Sequence, residues 1–206
     1  MDRITADLAT YYEQEAERAT RAGRAVDPQR GRWRRWFVDL LLGEGRGKLI
    51  EIGCGPGRDA PAFIDRGIGV AGVDLSVGNA RLAAAVGALP VQASLFDLPF
   101  RPRSFDAGWT MSTLVHVADT SFHAAMAEIC RTLGVGAPLG IGLWGGSDEE
   151  GLSDFDTIEP ARFFSRRSHD RIQTMLGRHG SIELFETKDY GLSTGWVYQF
   201  VLLRVA

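Results

Sequence analysis

The chain has 206 residues, of which 45% are hydrophobic and 24% charged. This composition is typical of a soluble globular protein with one domain, or one domain and a small cap. Its net charge of −3 does not favour nucleic acid as a partner, because polyanion binders usually carry a basic excess. No apolar run reaches the roughly 18 residues of a membrane span, and the N-terminus lacks a secretory layout.

The two cysteines, Cys54 and Cys130, lie in unrelated segments. Two thiols without a secretory signal indicate a reducing compartment, so we expect both to be free and the protein to be cytoplasmic. The sequence carries no signal for oligomeric state.

The first 45 residues have helical character, with a break at Gly23, Asp27 and Pro28. The second helical stretch interleaves arginines with tryptophans, which predicts an amphipathic helix. Its expected core face is Trp33, Trp36, Phe37, Leu40 and Leu41. Its expected solvated face is Arg30, Arg32, Arg34 and Arg35. The alternative for these arginines is a docking patch for an acidic substrate or RNA.

From Lys48 onward, short apolar runs alternate with helical patterns. Strands are predicted at 48–52, 68–73, 90–93, 105–111 and 139–144, and helices at 59–66, 77–86 and 119–133. The stretch 145–158 is polar and acidic and is predicted to be a loop, followed by a helix over 168–179. Two consecutive strands, 182–187 and 196–205, imply an antiparallel finish. The alternation predicts a mostly parallel sheet with helices on both faces.

A glycine-rich turn, Ile52-Gly53-Cys54-Gly55-Pro56-Gly57, follows the first strand. Such a turn can place backbone N–H groups beside a ligand. Asp74 ends the next strand, where a carboxylate can accept both hydroxyls of a ribose. The alternative for Asp74 is a cap on the following helix, a role that Ser76 can fill instead.

Several further segments accompany these two motifs in a fixed order. They are 49–57, 72–76, 98–100 (Leu-Pro-Phe), 104–106 (Ser-Phe-Asp) and 128–133. Together they resemble class I S-adenosylmethionine-dependent methyltransferases of the type 11 and 25 groups. The resemblance implies a single doubly wound Rossmann-like seven-stranded sheet, mostly parallel with an antiparallel last strand. It also implies an N-terminal helical cap over 1–45, a core over 46–206 and a lid around 145–168.

The resemblance implies S-adenosylmethionine as cofactor, S-adenosylhomocysteine as product, and no metal. The cofactor residues it implies are Glu51, Gly53, Cys54, Gly55, Gly57, Asp59, Asp74, Leu75, Ser94, Leu95, Thr110 and Met111. Ser94 stands where the family often has an aspartate that contacts adenine. Asp59 has two interpretations, orienting the methionine end of the cofactor or adding charge to a helix start. Main-chain oxygen at Thr110 and Met111 is expected near the cofactor's ammonium group.

His116 is the candidate catalytic base, with a packed structural histidine as the alternative. The candidate substrate-binding residues are Tyr11, Tyr12, His116, Trp144 and Phe163. Asp148, Glu149 and Glu150 either attract a cationic amine or form a solvated run. Aromatic side chains in the lid either stack on a flat substrate or anchor the next helix.

These features predict methyl transfer to an oxygen or nitrogen nucleophile of a small molecule. The alternatives are a transfer-RNA wobble-uridine-type methyltransferase and a non-catalytic cofactor-binding partner protein. A nicotinamide or flavin enzyme also fits the spacing of Gly55, Gly57 and Ala60, but it leaves the 98–100 and 104–106 motifs without a counterpart.

Overall fold

The computed structural model describes residues 2–18, 24–192 and 195–206. The chain forms two compact units. The first unit comprises Met1–Ser94 and Asp154–Arg162, and the second comprises Leu95–Ser153 and Phe163–Ala206. Gly23, one of the three residues predicted to mark a helix break, lies outside the described residues.

The first unit begins with two helices, α1 (Arg3–Glu17) and α2 (Pro28–Gly43). Asp27 caps α2, because its carboxylate accepts hydrogen bonds from the backbone N–H groups of Gln29 and Arg30 at 2.9 and 3.1 Å. Pro28 takes the first helical position, where the missing N–H has no partner to lose. The predicted break at Asp27 and Pro28 is therefore confirmed.

Three parallel strands follow, joined by two short helices. They run β1 (Lys48–Ile52), α3 (Ala60–Ile64), β2 (Gly69–Asp74), α4 (Val77–Ala85) and β3 (Leu89–Gln92). β2 pairs in parallel with β1 and with β3. The last four residues of β1 are buried, which explains why that strand is an unbroken apolar run apart from Glu51.

The second unit contains the remaining larger strands and two helices. They are β4 (Ala107–Met111), α5 (Asp119–Thr132), β5 (Pro138–Gly145), α6 (His169–Leu176), β8 (Gly180–Asp189) and β9 (Val197–Val205). β4 and β5 are parallel, β9 is antiparallel to β5, and β8 is antiparallel to β9. The predicted antiparallel finish is confirmed.

Seven strands form the main sheet, in the order β3-β2-β1-β4-β5-β9-β8. This is the predicted Rossmann-like sheet, mostly parallel with an antiparallel last strand and with helices around it, and the fold class is confirmed. The division into a cap over 1–45, a core over 46–206 and a lid around 145–168 stays a prediction.

The loop predicted over 145–158 is wrong in part, because it contains a strand. β6 (Glu149–Leu152) pairs antiparallel with β7 (Phe163–Arg166) in a separate two-stranded sheet. All four residues of β6 are exposed. An exposed strand is held mainly by backbone hydrogen bonds, so its side chains show none of the alternation that marks a half-buried strand.

The face of α2 differs from the predicted one in two respects. Its buried residues are Gly31, Trp33, Phe37, Val38 and Leu41, whereas Trp36 is 41% exposed. Leu40 is half-buried. Arg30 and Arg34 are not solvated, since their side chains retain only 19% and 17% exposure. Both arginines pair with a buried carboxylate, which the helical pattern alone does not reveal.

Both cysteines are free, as predicted. Burial raises the pKa of the Cys130 thiol to about 11 and raises that of Cys54 further. Both thiols are therefore protonated and poorly nucleophilic at neutral pH. Within the described ranges, none of the helices has the length and apolarity needed to cross a membrane.

Candidate active site

The glycine turn between β1 and α3 depends on left-handed backbone angles. Gly53, Gly55 and Gly57 have φ of 69°, 53° and 77°, which glycine adopts without the steric cost of a Cβ. A Cβ on Gly57 would lie 2.9 Å from the backbone Cα of Ala83 in α4. A Cβ on Gly55 would meet nothing within 4 Å. Gly57 thus serves close packing, and Gly55 leaves open space beside the turn.

The backbone N–H groups of this turn are already used within the protein. Those of Gly53 and Cys54 donate to the carbonyl of Val73 at 2.8 and 3.0 Å, and that of Gly57 donates to the carbonyl of Cys54 at 3.1 Å. The N–H of Gly55 donates to Asp74 at 2.8 Å. A pyrophosphate-binding turn needs such groups directed at the ligand. The arrangement therefore disfavours the nicotinamide or flavin alternative.

Asp74, at the end of β2, braces the turn from the opposite side. Its Oδ2 accepts the Gly55 N–H, and its Oδ1 accepts the backbone N–H of Ser76 at 2.9 Å and the Asn79 Nδ2 at 3.4 Å. The cap on α4 is Ser76, whose Oγ accepts the Asn79 N–H at 2.9 Å. The capping alternative thus belongs to Ser76, as expected. Leu75, between the two, is half-buried.

Glu51 of β1 is a buried carboxyl group that lies next to the glycine turn. It is 2% exposed, and its Oε2 has no hydrogen-bond partner among the residues that the structure describes. Burial raises its pKa well above the usual value, and the neighbouring carboxylate of Asp59 raises it further. A buried polar atom without a partner is costly and needs an explanation, such as a ligand that supplies the missing donor.

Asp59 precedes α3 and is fully buried. Its Oδ2 accepts from Arg30 Nη2 and Nε at 2.6 and 2.9 Å, and its Oδ1 accepts from Arg34 Nη1 at 3.0 Å. Arg34 also donates to the carbonyl of Arg58 at 3.1 Å. The carboxylate therefore fixes α2 to the glycine turn, a role that neither sequence interpretation contained.

The first unit joins α1 to the segment Asp154–Arg162. Arg162 forms a bidentate ion pair with the buried carboxylate of Asp156 at 2.5 and 2.9 Å. The same guanidinium lies 4.6 Å from the ring centroid of Tyr11 and 5.9 Å from that of Tyr12. Gln14 Nε2 donates to the carbonyl of Glu159 at 2.7 Å. Tyr11 and Tyr12, predicted to bind substrate, thus contact part of the predicted lid.

α1 is also attached to the helix that follows Asp74. The backbone N–H of Gly78, in the first turn of α4, donates to both carboxylate oxygens of Glu13 at 3.0 and 3.1 Å. Hydrogen bonds to its carboxylate, above all that from the Gly78 N–H, lower the pKa of Glu13. A Cβ on Gly78 would lie 2.9 Å from that of Ala16. The N-terminus of α4 is therefore occupied by a carboxylate of the chain itself.

In the second unit, β4 ends at the predicted cofactor residues Thr110 and Met111. Both are buried, and no residue within the described ranges is a hydrogen-bond partner of the Thr110 Oγ1. The next residue, Ser112, has a φ of 64°, a rare angle for a residue other than glycine that is often found at functional sites. Its Oγ lies 2.9 Å from the Tyr198 hydroxyl. Sequence analysis did not select Ser112, because backbone strain has no sequence signature at a serine.

His116 ends a short 3-10 helix, Leu114–His116, and is 7% exposed. Its Nδ1 lies 2.7 Å from the carbonyl oxygen of Phe163. Because a carbonyl only accepts, Nδ1 carries the proton in the neutral ring, and Nε2 is the basic nitrogen. The His116 ring also packs edge-on against Phe164, with centroids 4.7 Å apart.

Arg167 holds the segment that carries His116. Its side chain is fully buried and donates to Asp119 at 2.7 Å and to the carbonyls of Val117 and Leu114 at 2.6 and 3.3 Å. This supporting role of Arg167 could not be predicted from the sequence, because only its partners distinguish it from the neighbouring arginines.

The acidic run 148–150 is engaged within the chain. Asp148 accepts from the backbone N–H of Ser168 at 2.8 Å, and Glu150 accepts from that of Asp119 at 2.7 Å. Glu149 pairs with Arg166. These partners favour a structural role over attraction of a cationic substrate.

Hydrogen bonds join two of the motifs on which the resemblance rests, the segment 98–100 and the segment 128–133. Glu128 of α5 accepts the Leu98 N–H at 2.8 Å, while Arg131 donates to the carbonyls of Leu98 and Phe100 at 2.9 and 2.8 Å. The Arg131 side chain holds the pKa of Glu128 below its usual value. The pair therefore fixes the Leu-Pro-Phe segment.

The structure brings the predicted residues together in two separate sets. In the first unit, Asp74 contacts the glycine turn, and Tyr11 contacts Tyr12. In the second unit, His116 contacts Phe163. Ser94, expected at the adenine, and Leu95, expected to contact the cofactor, are half-buried after β3. Among the described residues, no group of three or more histidine, cysteine, aspartate or glutamate side chains is arranged to hold a metal ion.

Comparison with known proteins gives a domain match and a fold. A family model described as a methyltransferase domain matches residues 50–139. None of the proteins with curated functions matches the sequence.

Three solved structures illustrate the shared fold. The 1,6-didemethyltoxoflavin-N1-methyltransferase of Burkholderia thailandensis, solved with 1,6-didemethyltoxoflavin and S-adenosylhomocysteine, is 18% identical, with 97% of this chain and 85% of that one covered and a TM-score of 0.68. The geranyl diphosphate C-methyltransferase of Streptomyces coelicolor A3(2), solved with Mg²⁺, geranyl diphosphate and S-adenosylhomocysteine, is 14% identical, with 100% and 98% covered and a TM-score of 0.71. A [4+2]-cyclase is 16% identical, with 83% and 80% covered and a TM-score of 0.64. At these identities the similarity shows the fold, which by itself does not determine a reaction.

Proposed function

Because the chain carries the methyltransferase domain of class I S-adenosylmethionine-dependent methyltransferases, we propose that it transfers a methyl group to an oxygen or nitrogen nucleophile of a small molecule. S-adenosylmethionine supplies a methyl group already activated by a positively charged sulfur. The protein's own part is to hold donor and acceptor in line and to exclude water.

The observation that carries the proposal is the chemistry of the glycine turn. Its N–H groups are satisfied internally, while the unpartnered Oε2 of Glu51 and the carboxylate of Asp74 lie on the strands beside it. This set is poor for an anionic phosphate and suits a cofactor with an ammonium group and a ribose. S-adenosylmethionine has both.

We assign the groups of the cofactor to residues as follows. Asp74 receives the ribose hydroxyls, and Glu51 receives the ammonium group. The proposed path of the cofactor's chain runs along Gly53, Cys54, Gly55 and Gly57, and the open space beside Gly55 accommodates it. Leu75, Ser94 and Leu95 contact the adenosine. Thr110 and Met111 keep their predicted place at the methionine end, whereas Asp59 acts indirectly, by fixing the turn to α2.

His116 is the proposed base for an acceptor that carries a proton at neutral pH. The carbonyl of Phe163 holds the Nδ1 proton, so Nε2 is the nitrogen that takes up the acceptor's proton. Phe163 therefore acts through its main chain on the base. Tyr11, Tyr12 and Trp144 keep their proposed role in substrate binding.

The experiment is incubation of the protein with methyl-labelled S-adenosylmethionine and a small-molecule extract of its source cells. We expect label in one or a few extract components with wild-type protein, and none with Asp74→Ala. Label that appears only in added transfer RNA would contradict a small-molecule acceptor. That outcome is not expected, because Arg30 and Arg34 of the arginine-rich helix already pair with Asp59.

A further inference from the structure

Five aromatic side chains of the second unit form one connected cluster, which we call the aromatic cluster: Trp144, Phe164, Tyr190, Trp196 and Tyr198. The ring centroid of Trp144 lies 5.0 Å from that of Tyr198, 5.6 Å from that of Tyr190 and 6.5 Å from that of Trp196. Phe164 lies 6.2 Å from Trp196. Tyr198 lies in β9, Trp196 directly precedes it, and Tyr190 directly follows β8. None of these three residues was predicted to be functional.

The aromatic cluster occupies the end of the sheet where ligands bind in this class of fold. Trp144 is the penultimate residue of β5 and pairs directly with Tyr198 of β9. Ser112 directly follows the carboxyl end of the parallel strand β4, and its Oγ lies 2.9 Å from the hydroxyl of Tyr198 in the aromatic cluster. In open α/β sheets the ligand crevice lies outside the carboxyl ends of the strands.

The aromatic cluster continues to the proposed base. His116 packs against Phe164, with ring centroids 4.7 Å apart. A ligand stacked on the cluster would therefore lie beside the imidazole. Apart from Tyr198, the members of the cluster are only half-buried, so these residues retain contact with solvent. A part-exposed aromatic group with a few converging polar atoms is the usual composition of a small-molecule site.

The charges around the aromatic cluster indicate what kind of ligand it accepts. Arg166 lies 4.3 Å from the ring centroid of Trp196, so a cation already stacks on that ring. The carboxylate of Glu149 pairs with Arg166, and Asp148 and Glu150 accept backbone hydrogen bonds. A cationic amine would gain little here. A flat neutral ring gains stacking on the aromatic faces, and the hydroxyls of Ser112 and Tyr198 provide hydrogen bonds.

We propose that the aromatic cluster binds the methyl acceptor, and that this acceptor is a planar aromatic molecule whose hydroxyl or ring N–H reaches His116. The inference rests on the proposed methyl transfer. It adds the chemical class of the acceptor and assigns specificity to Trp144 and to Trp196, in the segment just before β9.

The test uses two probes with the same carbon skeleton and hydroxyl group, 2-naphthol and its saturated counterpart decahydro-2-naphthol. Binding of each is measured by calorimetry to the full chain in the presence of saturating S-adenosylhomocysteine. Stacking requires that 2-naphthol binds roughly three- to tenfold more tightly than the saturated alcohol. Equal affinities, or no binding of 2-naphthol, would overturn the proposal without any variant.

Variants locate the binding. Trp144→Leu and Trp196→Leu are expected to weaken 2-naphthol binding by roughly three- to tenfold each, and Trp144→Phe to retain most of it. Trp36→Leu, at the exposed tryptophan of α2, is the matched control and should bind like wild type. The assignment would be contradicted if Trp36→Leu lost as much affinity for 2-naphthol as the cluster variants do. It would also be contradicted if the cluster variants lost no affinity.

Titration of the same samples with S-adenosylmethionine separates the two proposals. Cofactor binding without binding of 2-naphthol rejects the aromatic acceptor alone. Absence of cofactor binding rejects the proposed function itself.

Discussion

A buried carboxyl oxygen without a hydrogen-bond partner destabilises the fold that contains it, and among the described residues the Oε2 of Glu51 has no such partner. Because Glu51 lies beside the glycine turn, this destabilisation is explained if the carboxylate binds the cofactor. The ammonium group of the cofactor would supply both the missing donor and the compensating charge. Removal of the charge should therefore have opposite effects on stability and on cofactor binding.

The first prediction concerns Glu51→Gln. Ionisation is disfavoured in the fold, because the folded pKa of Glu51 lies well above its usual 4.5. Wild-type stability therefore declines as pH rises from that value towards the raised pKa, and the glutamine variant lacks this decline. We expect Glu51→Gln to raise the free energy of unfolding at neutral pH by about 1–3 kcal/mol, measured by urea denaturation.

The same variant should bind S-adenosylmethionine at least about tenfold more weakly, because a charge-assisted hydrogen bond to the ammonium group contributes roughly 1.5–3 kcal/mol. Affinity of the wild type should fall as pH falls through the Glu51 pKa, since the protonated carboxyl no longer attracts a cation. Glu17→Gln, at the exposed end of α1, is the control and should change neither property. Unchanged affinity in Glu51→Gln would remove Glu51 from the site.

The second prediction separates the glycines by function. Gly57→Ala places a Cβ against the Ala83 backbone at a φ of 77°, and we expect a loss of about 2–4 kcal/mol in the free energy of unfolding. Gly45→Ala is the matched control, because Gly45 has a φ of 66° and nothing within 4 Å of the added Cβ. It should lose only about 1 kcal/mol.

Gly55→Ala should lose as little stability as Gly45→Ala, because its Cβ also enters open space. It should nevertheless weaken cofactor binding, since that space is where the cofactor is proposed to lie. Equal stability of the Gly57→Ala and Gly45→Ala proteins would show that contact with α4 is not what requires Gly57.

At the scale of elements, α2 and the glycine turn are joined by one buried charge cluster. Asp59 is fully buried and has Arg30 and Arg34 as partners. Because the helix presents these arginines one turn apart, the same side of α2 supplies both partners. The cluster fixes the turn from outside, and the proposed role of Asp59 is therefore to position the turn and not to contact the cofactor.

The third prediction is that the double substitution Arg30→Met and Arg34→Met destabilises the protein by about 3–5 kcal/mol, because it leaves a buried carboxylate uncompensated. The exposed pair Arg32→Met and Arg35→Met is the control, expected within about 0.5 kcal/mol of wild type. Adding Asp59→Asn to the first double variant should restore part of the loss. If it restores nothing, the loss came from packing and not from the charge.

Much of the architecture could be predicted from the sequence, because it depends on local signals. Strand β1 covers 48–52 as predicted, and Asp27 and Pro28 mark the start of α2 as expected. The exposed strand β6 could not be predicted, because backbone pairing across a hairpin leaves polar side chains unconstrained.

The candidate site was predictable to the extent that its motifs are local. The glycine turn, Asp74 and the segment of His116 each have a short pattern. The partners of Asp59 lie 25 and 29 positions away in the chain, and the groups through which Arg167 supports the segment of His116 lie 48 to 53 positions away. The aromatic cluster likewise joins residues from different elements. Such contacts are decided by the packing of whole elements, which no short pattern contains.

At the scale of the whole molecule, the central claim is that the glycine turn accepts a cationic nucleoside cofactor and not a dinucleotide. Calorimetric titration of the full chain with S-adenosylmethionine, and separately with NADH, tests it most directly. We predict saturable one-to-one binding of S-adenosylmethionine, at least about tenfold weaker in Asp74→Ala, with no measurable heat from NADH. Absence of S-adenosylmethionine binding to the wild type, or comparable binding of NADH, would contradict the claim.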